Sequence, residues 1–193
     1  MPAQKKYYAV RQGRQTGLFE TWADCKKQID GFPSAIYKSF KTREEAEAYL
    51  QPSEASLPED TLTAYVDGSF LGGRIGYGVV LLDAGKEICL NGPVTDVSLF
   101  SMHNVAGEIE GARVAMTYAL SHGFPAIIIY HDYEGVAAWC TGAWSAKLPG
   151  TQAYAAFYRS ISADLHVEFR KVKGHSGDKY NDMADTLAKA SIQ

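Results

Sequence analysis

Asp67 stands in TAYVDGSFLGGRIGYG, residues 63–78, within an apolar run that reads as a buried strand. Burying a lone carboxylate is costly, so it needs a hydrogen bond, a basic side chain or a cation as partner. Three further acids occupy comparable positions. Glu108 borders the inward face that Val105, Ile109 and Ala112 mark in HNVAGEIEGARVAM. Asp132 ends AIIIYHD, and the ends of strands are where open α/β sheets carry working residues. Asp185 adjoins Ala184, Leu187 and Ala188 in GHSGDKYNDMADTLAKA. Singly, each acid has an ordinary explanation, as a turn or helix cap or an exposed helical residue. Together, two on strands and two beside the apolar faces of helices, they can converge in one cleft. Four carboxylates at close range repel one another, and raised pKa values or bound cations relieve the repulsion. An all-oxygen donor set suits Mg²⁺ or Mn²⁺, and the lack of clustered His and Cys argues against Zn²⁺.

The elements that would position these acids follow from periodicity and turn chemistry. Strands are expected near 62–70, 76–82 and 86–91, the first two joined by a glycine-rich turn. A long amphipathic helix covers about 105–122 and ends at SHGFP. Then come a buried strand at AIIIYHD, helices near 133–143 and 151–163, a strand at 165–171 and a last helix near 178–191. This alternation defines an α/β layer architecture. Ahead of it, KYYAVRQGRQTGLFETW reads as two short strands. A helix capped by Thr21 follows, then the strand SAIYKSF, then a helix with Thr42 and Glu45 at capping-box spacing. The result is a ββαβα module of residues 1–50. A linker, QPSEASLPEDT at 51–61, separates it from the module of residues 62–193.

The net charge of −3 conceals an asymmetry. Residues 1–43 carry nine Lys or Arg against three acids, whereas residues 51–193 carry ten against sixteen. A basic front end is drawn to a polyanion; uneven surface charge is the plainer alternative. No apolar stretch has membrane-spanning length, and the N-terminus has no apolar signal core, so the cytoplasm is the expected compartment. Cys25, Cys89 and Cys140 are scattered and read as reduced thiols.

Four motifs in order, YVDGS, NVAGEIEGA, IYHDYEGV and VKGHSGDKYNDMADTLAK, resemble the catalytic domain of type 1 ribonuclease H. The first fifty residues, above all YYAVRQGRQTGLFETWADCKKQIDGFPSAIYKSFKTREEAEAYL, resemble the viroplasmin-like hybrid-binding domain often fused to it. The resemblance implies a mixed five-stranded sheet with helices on both faces, preceded by the small ββαβα domain. It implies an endonuclease that cuts the RNA strand of RNA–DNA hybrids with two Mg²⁺ ions, for which Mn²⁺ can substitute. Asp67, Glu108, Asp132 and Asp185 would be the metal ligands and His175 the histidine that assists proton movement or product release. Asn104 would contact the minor groove, where RNA displays its 2′-hydroxyls. In the first module, Trp22 and Tyr37 would lie against DNA sugars, with Tyr8 near the RNA and Lys38 on a phosphate. Arg11, Arg14, Lys26 and Lys27 add charge around these aromatics; the alternative is that Trp22 and Tyr37 are core. Double-stranded RNA would be a further ligand of this domain, and the resemblance implies no obligate protein partner.

The chain departs from the family pattern in places. Lys38-Ser39 stands where Lys-Lys is frequent, Val105 replaces an asparagine, and Ser101 and His103 occupy positions of a DNA-phosphate pocket. The segment 145–153 is too short for the basic protrusion of some relatives. Gly72, Gly73, Gly76 and Gly78 either form a tight turn or let backbone approach a ribose. Two rival functions remain: a catalytically inactive binder of hybrid or double-stranded RNA, and another nuclease of the same superfold.

Overall fold

The computed structural model describes residues 6–32, 35–50, 57–174 and 177–193. It divides into two compact units, residues 1–56 and 57–193. In the first, β1 (Tyr7–Gln12), β2 (Gly17–Phe19) and β3 (Ile36–Phe40) form an antiparallel sheet in the order β2-β1-β3. The helices are α1 (Trp22–Ile29) and α2 (Arg43–Leu50). Both start as their caps dictate. Thr21 Oγ1 accepts the Asp24 N–H at 3.1 Å. Thr42 Oγ1 accepts the Glu45 N–H at 3.2 Å while Glu45 Oε2 accepts the Thr42 N–H at 3.4 Å, a reciprocal box. The core here is made of small residues, Ala9, Val10, Cys25 and Ala46, all fully buried.

In the second unit, β4 (Thr61–Leu71), β5 (Arg74–Asp83) and β6 (Lys86–Pro93) form an antiparallel meander. The strands β7 (Ala126–His131) and β8 (His166–Lys171) extend it in parallel, giving the order β6-β5-β4-β7-β8. The helices are α3 (Asn104–Ser121), α4 (Gly135–Thr141), α5 (Pro149–Ile161) and α6 (Lys179–Ala190). A 3₁₀ helix, Val97–Met102, precedes α3 and starts at Asp96, whose carboxylate accepts the Ser98 N–H at 2.9 Å. Periodicity gave no sign of it, since six residues are too few to establish a repeat. β4 begins at Thr61, inside the stretch that composition marks as linker, and Thr61 Oγ1 donates to the Pro58 carbonyl at 2.6 Å. No described helix is long and apolar enough to cross a membrane.

Glycines decide how closely the helices approach the sheet. Gly72 and Gly73, both at positive φ, form the two-residue turn between β4 and β5. Gly76 and Gly78 do something else. A Cβ at Gly78 would run into the Ala184 carbonyl and lie 2.6 Å from the Ala188 amide, so α6 lies directly on β5 there. On the opposite face α3 crosses β4 at Gly68, where a Cβ would meet the Asn104 carbonyl and stand 2.6 Å from the Glu108 amide. Gly107 faces Gly68 in turn: its Cβ would fall 2.5 Å from the Gly68 Cα and against the Gly76 carbonyl. Gly107→Ala therefore presses backbone on backbone, which cannot rotate away. Urea unfolding should show a loss of about 1–3 kcal/mol, and an unchanged midpoint would refute this close approach.

Candidate active site

The site lies where two parallel strands part. β4 and β7 are in register up to Tyr65 opposite Tyr130. Beyond that pair β7 ends at His131, while β4 continues to Leu71 against β5 alone. Asp67 projects at one lip of this opening and Asp132 at the other. The helix α3 supplies a third acid: with Gly107 seated on Gly68, the next residue, Glu108, must fall beside Asp67, the residue before Gly68. Carboxylate oxygens of Asp67, Glu108 and Asp132 all lie within 4.8 Å of one another. Asp67 Oδ1 accepts the Gly68 N–H at 2.7 Å, and Glu108 Oε2 accepts the Tyr133 N–H at 3.2 Å.

Glu108 is 2% exposed. Burial first, then the charge of Asp132 and more weakly that of Asp67, pushes its carboxyl up to about 9, against the pull of the Tyr133 N–H. Without a cation this carboxyl carries a proton at neutrality. His131, also buried, is pushed down by desolvation, and its Nδ1 donates to the Tyr133 carbonyl at 2.9 Å. That bond pins the turn carrying Asp132 and the Tyr133 amide. β8 adds a further wall. The Val172 N–H donates to the His131 carbonyl at 2.9 Å, and a Cβ at Gly174 would collide with Asp132 Oδ2.

Of the expected ligands, three are brought together and the fourth is set aside. Asp185 does not belong to the three-acid cluster; its Oδ2 accepts from Lys189 Nζ at 2.6 Å. It is nonetheless close by, because α6 rests on Gly78 and Gly78 is the β5 partner of Asp67. His175 lies outside the described residues. Asn104 is the first residue of α3, exposed, with its carbonyl against Gly68. The glycines at 76 and 78 serve helix packing, in place of the expected turn or ribose approach. Reading the residues one at a time missed Lys189 and Gly174, although Asp-x-x-x-Lys on a helix is a legible spacing. Near Tyr133, the Trp139 and Trp144 rings form an aromatic cluster with centroids 5.8–6.1 Å apart.

In the first unit Trp22 sits between Tyr8 and Tyr37, with centroids 5.5 and 5.8 Å away. Trp22 and Tyr37 are 44% and 45% exposed, so the alternative that they are core falls. Lys38, the residue after Tyr37 in β3, is exposed and lies 5.6 Å from the Phe40 ring. Arg11 and Arg14 have structural tasks: Arg11 donates to the Tyr49 carbonyl at 2.6 Å, and Arg14 to the Lys27 and Asp30 carbonyls at 3.0 and 2.5 Å.

A five-stranded mixed sheet with acids gathered where its central parallel strands separate defines the ribonuclease H class of fold. Two family models match the chain: the ribonuclease H1 N-terminal domain over residues 6–50 and RNase H over residues 59–193. The second covers more than half of the chain, which belongs to the ribonuclease H family. Ribonuclease H of Saccharomyces cerevisiae is 49% identical over 57 residues, 29% of this chain and 16% of that protein. Ribonuclease H1 of Homo sapiens is 51% identical over 47 residues, 24% of this chain and 16% of that protein. The matched segment thus spans about a sixth of the length of these relatives. Ribonuclease H of Chlorobaculum parvum is 27% identical over 142 residues, 70% of this chain and 97% of that protein. Among solved structures, RNase H1 from Halobacterium salinarum NRC-1 has a TM-score of 0.56 at 22% identity, covering 68% of this chain and 96% of its own. LC11-RNase H1 in complex with an RNA/DNA hybrid has a TM-score of 0.56 at 20% identity, with the same coverage.

The carboxyl of Glu108 gives a test independent of turnover. The folded protein holds this proton up to about pH 9, whereas the unfolded chain releases it near the ordinary 4.5. The folded state therefore binds more protons in that window, and metal-free stability falls as pH rises through it. Glu108→Gln, which mimics the protonated form, should flatten that slope and raise the Tm in chelator at pH 8 by about 3 °C or more. Parallel pH profiles of wild type and variant would refute the burial argument.

Proposed function

We propose that residues 62–193 hydrolyse the RNA strand of RNA–DNA hybrids internally and that residues 1–50 hold the hybrid without regard to sequence. The observation that carries this reading is the cluster of Asp67, Glu108 and Asp132, in which burial first, and then the charge of its neighbours, keeps a proton on Glu108. Such a donor set fits hard divalent cations, whose binding displaces that proton. Asp67, Glu108 and Asp132 would hold two Mg²⁺ ions, with Asp185 joining them from α6; Mn²⁺ fits the same oxygens. Held there, such ions would supply an activated water and stabilisation of charge on the attacking and leaving oxygens of an in-line displacement.

The chain's own groups do the rest. Gly68 and Tyr133 orient the Asp67 and Glu108 oxygens through their backbone N–H groups. Asn104, exposed at the start of α3, would read a minor-groove edge, and an RNA strand is told from DNA by its 2′-hydroxyls. His175 would take up or deliver a proton as product leaves. In the first unit the exposed Trp22 and Tyr37, with Tyr8 and Lys38, offer aromatic faces and charge to sugars and phosphates. Such surfaces bind without base readout.

Purified protein with Mg²⁺ should cleave the RNA strand of a hybrid and leave double-stranded RNA and double-stranded DNA intact. Binding without cleavage would favour the inactive binder, and cutting of duplex DNA another nuclease of the superfold. Asp67→Asn should lower the rate by about 10²–10³-fold or more while the protein stays folded; retained turnover would remove Asp67 from the site. The double variant Trp22→Ala/Tyr37→Ala should raise the hybrid Kd by roughly tenfold, about 1.4 kcal/mol, and reduce processivity. Unchanged binding by fluorescence anisotropy would refute the role of the first unit.

A further inference from the structure

Among the described residues, Lys189 pairs with Asp185 at 2.6 Å, one helical turn away. The two ends of this pair differ in freedom. The Asp185 side chain is 19% exposed, on a helix pressed against Gly76 and Gly78 with no room to shift. The Lys189 side chain is 56% exposed and swings on a flexible stem into water. Its ammonium also lies within the field of Asp67, and both acids hold its pKa above the ordinary lysine value, Asp185 foremost. Lys179, the lysine at the other end of α6, is engaged elsewhere, with Glu87 at 2.7 Å.

We propose that Lys189 is a built-in counter-ion of the carboxylate site, holding Asp185 aside until a divalent cation displaces it and so setting the concentration at which the site fills. This rests on the reading of the acids as metal ligands. An incoming cation that takes Asp185 as a ligand must then displace the Lys189 ammonium from it. With its lysine end in water the pair is partly screened, so a divalent ion competes with it successfully but at a cost in affinity. The purely structural alternative is that Lys189 only complements the C-terminal end of the α6 dipole.

Calorimetric titration of Mn²⁺ into the full chain, without nucleic acid, separates these. Lys189→Met should tighten Mn²⁺ binding by about three- to tenfold, and Lys189→Arg should stay within about twofold of wild type. Lys179→Met, which removes the same charge from the same helix, should also stay within about twofold. In an Asp185→Asn background the gain from Lys189→Met should largely vanish. Unchanged or weaker binding by Lys189→Met overturns the proposal, as does an equal gain from Lys179→Met or an undiminished gain in the Asp185→Asn background. A wild-type protein that binds no Mn²⁺ overturns the metal-ligand reading and this proposal together, whereas a wild type that binds with an unaltered Lys189→Met variant sinks this proposal alone.

Discussion

Repulsion among Asp67, Glu108 and Asp132 is the constraint on which the second unit turns. Nothing in ordinary packing favours three carboxylates within 4.8 Å of one another, one of them almost wholly buried. Backbone geometry holds them there: the separation of β4 from β7 after Tyr65 and Tyr130, and the seat of α3 on β4. The protein tolerates the arrangement by keeping a proton on Glu108 and by directing the Gly68 and Tyr133 N–H groups at the acids. A site that is uncomfortable when empty is primed for cations, since their binding relieves what the fold imposes.

The same geometry explains the density of glycine around these acids. Gly68 and Gly107 face each other and let α3 meet β4 backbone to backbone, while Gly76 and Gly78 do the same for α6 on the other side of the sheet. Had side chains stood there, both helices would ride farther from the sheet, and Glu108 would fall short of Asp67. Gly174 continues the pattern on the β8 side by leaving no room between its backbone and Asp132. These glycines act through absent volume. Only Gly72 and Gly73 are needed for left-handed backbone at the hairpin.

The first unit follows another logic. Its core is so small that Tyr8, Trp22 and Tyr37 are not enclosed, and their rings pack at tilted angles toward its surface. Two arginines that composition would count toward a basic face instead bond to carbonyls, Arg14 at the end of α1 and Arg11 at Tyr49. Those bonds fix the two exposed guanidinium groups without cancelling their charge.

Much of this was legible in the sequence. Local rules placed the strands and helices of both units, the caps at Thr21 and Thr42, and the Gly72–Gly73 turn, because each depends on a few adjacent residues. Positions on strands and beside apolar helix faces singled out Asp67, Glu108, Asp132 and Asp185 as acids that can converge, and the resemblance implied their role as metal ligands. Tertiary structure decided what depends on distance between remote segments. It showed that Gly76 and Gly78 make room for α6, that Trp22 and Tyr37 face solvent, and that Asp185 is paired with Lys189 outside the three-acid cluster. A linear chain records which acids exist and how they are spaced. Whether two of them meet, and whether an ammonium reaches one of them first, is fixed only when strands part and helices settle against the sheet.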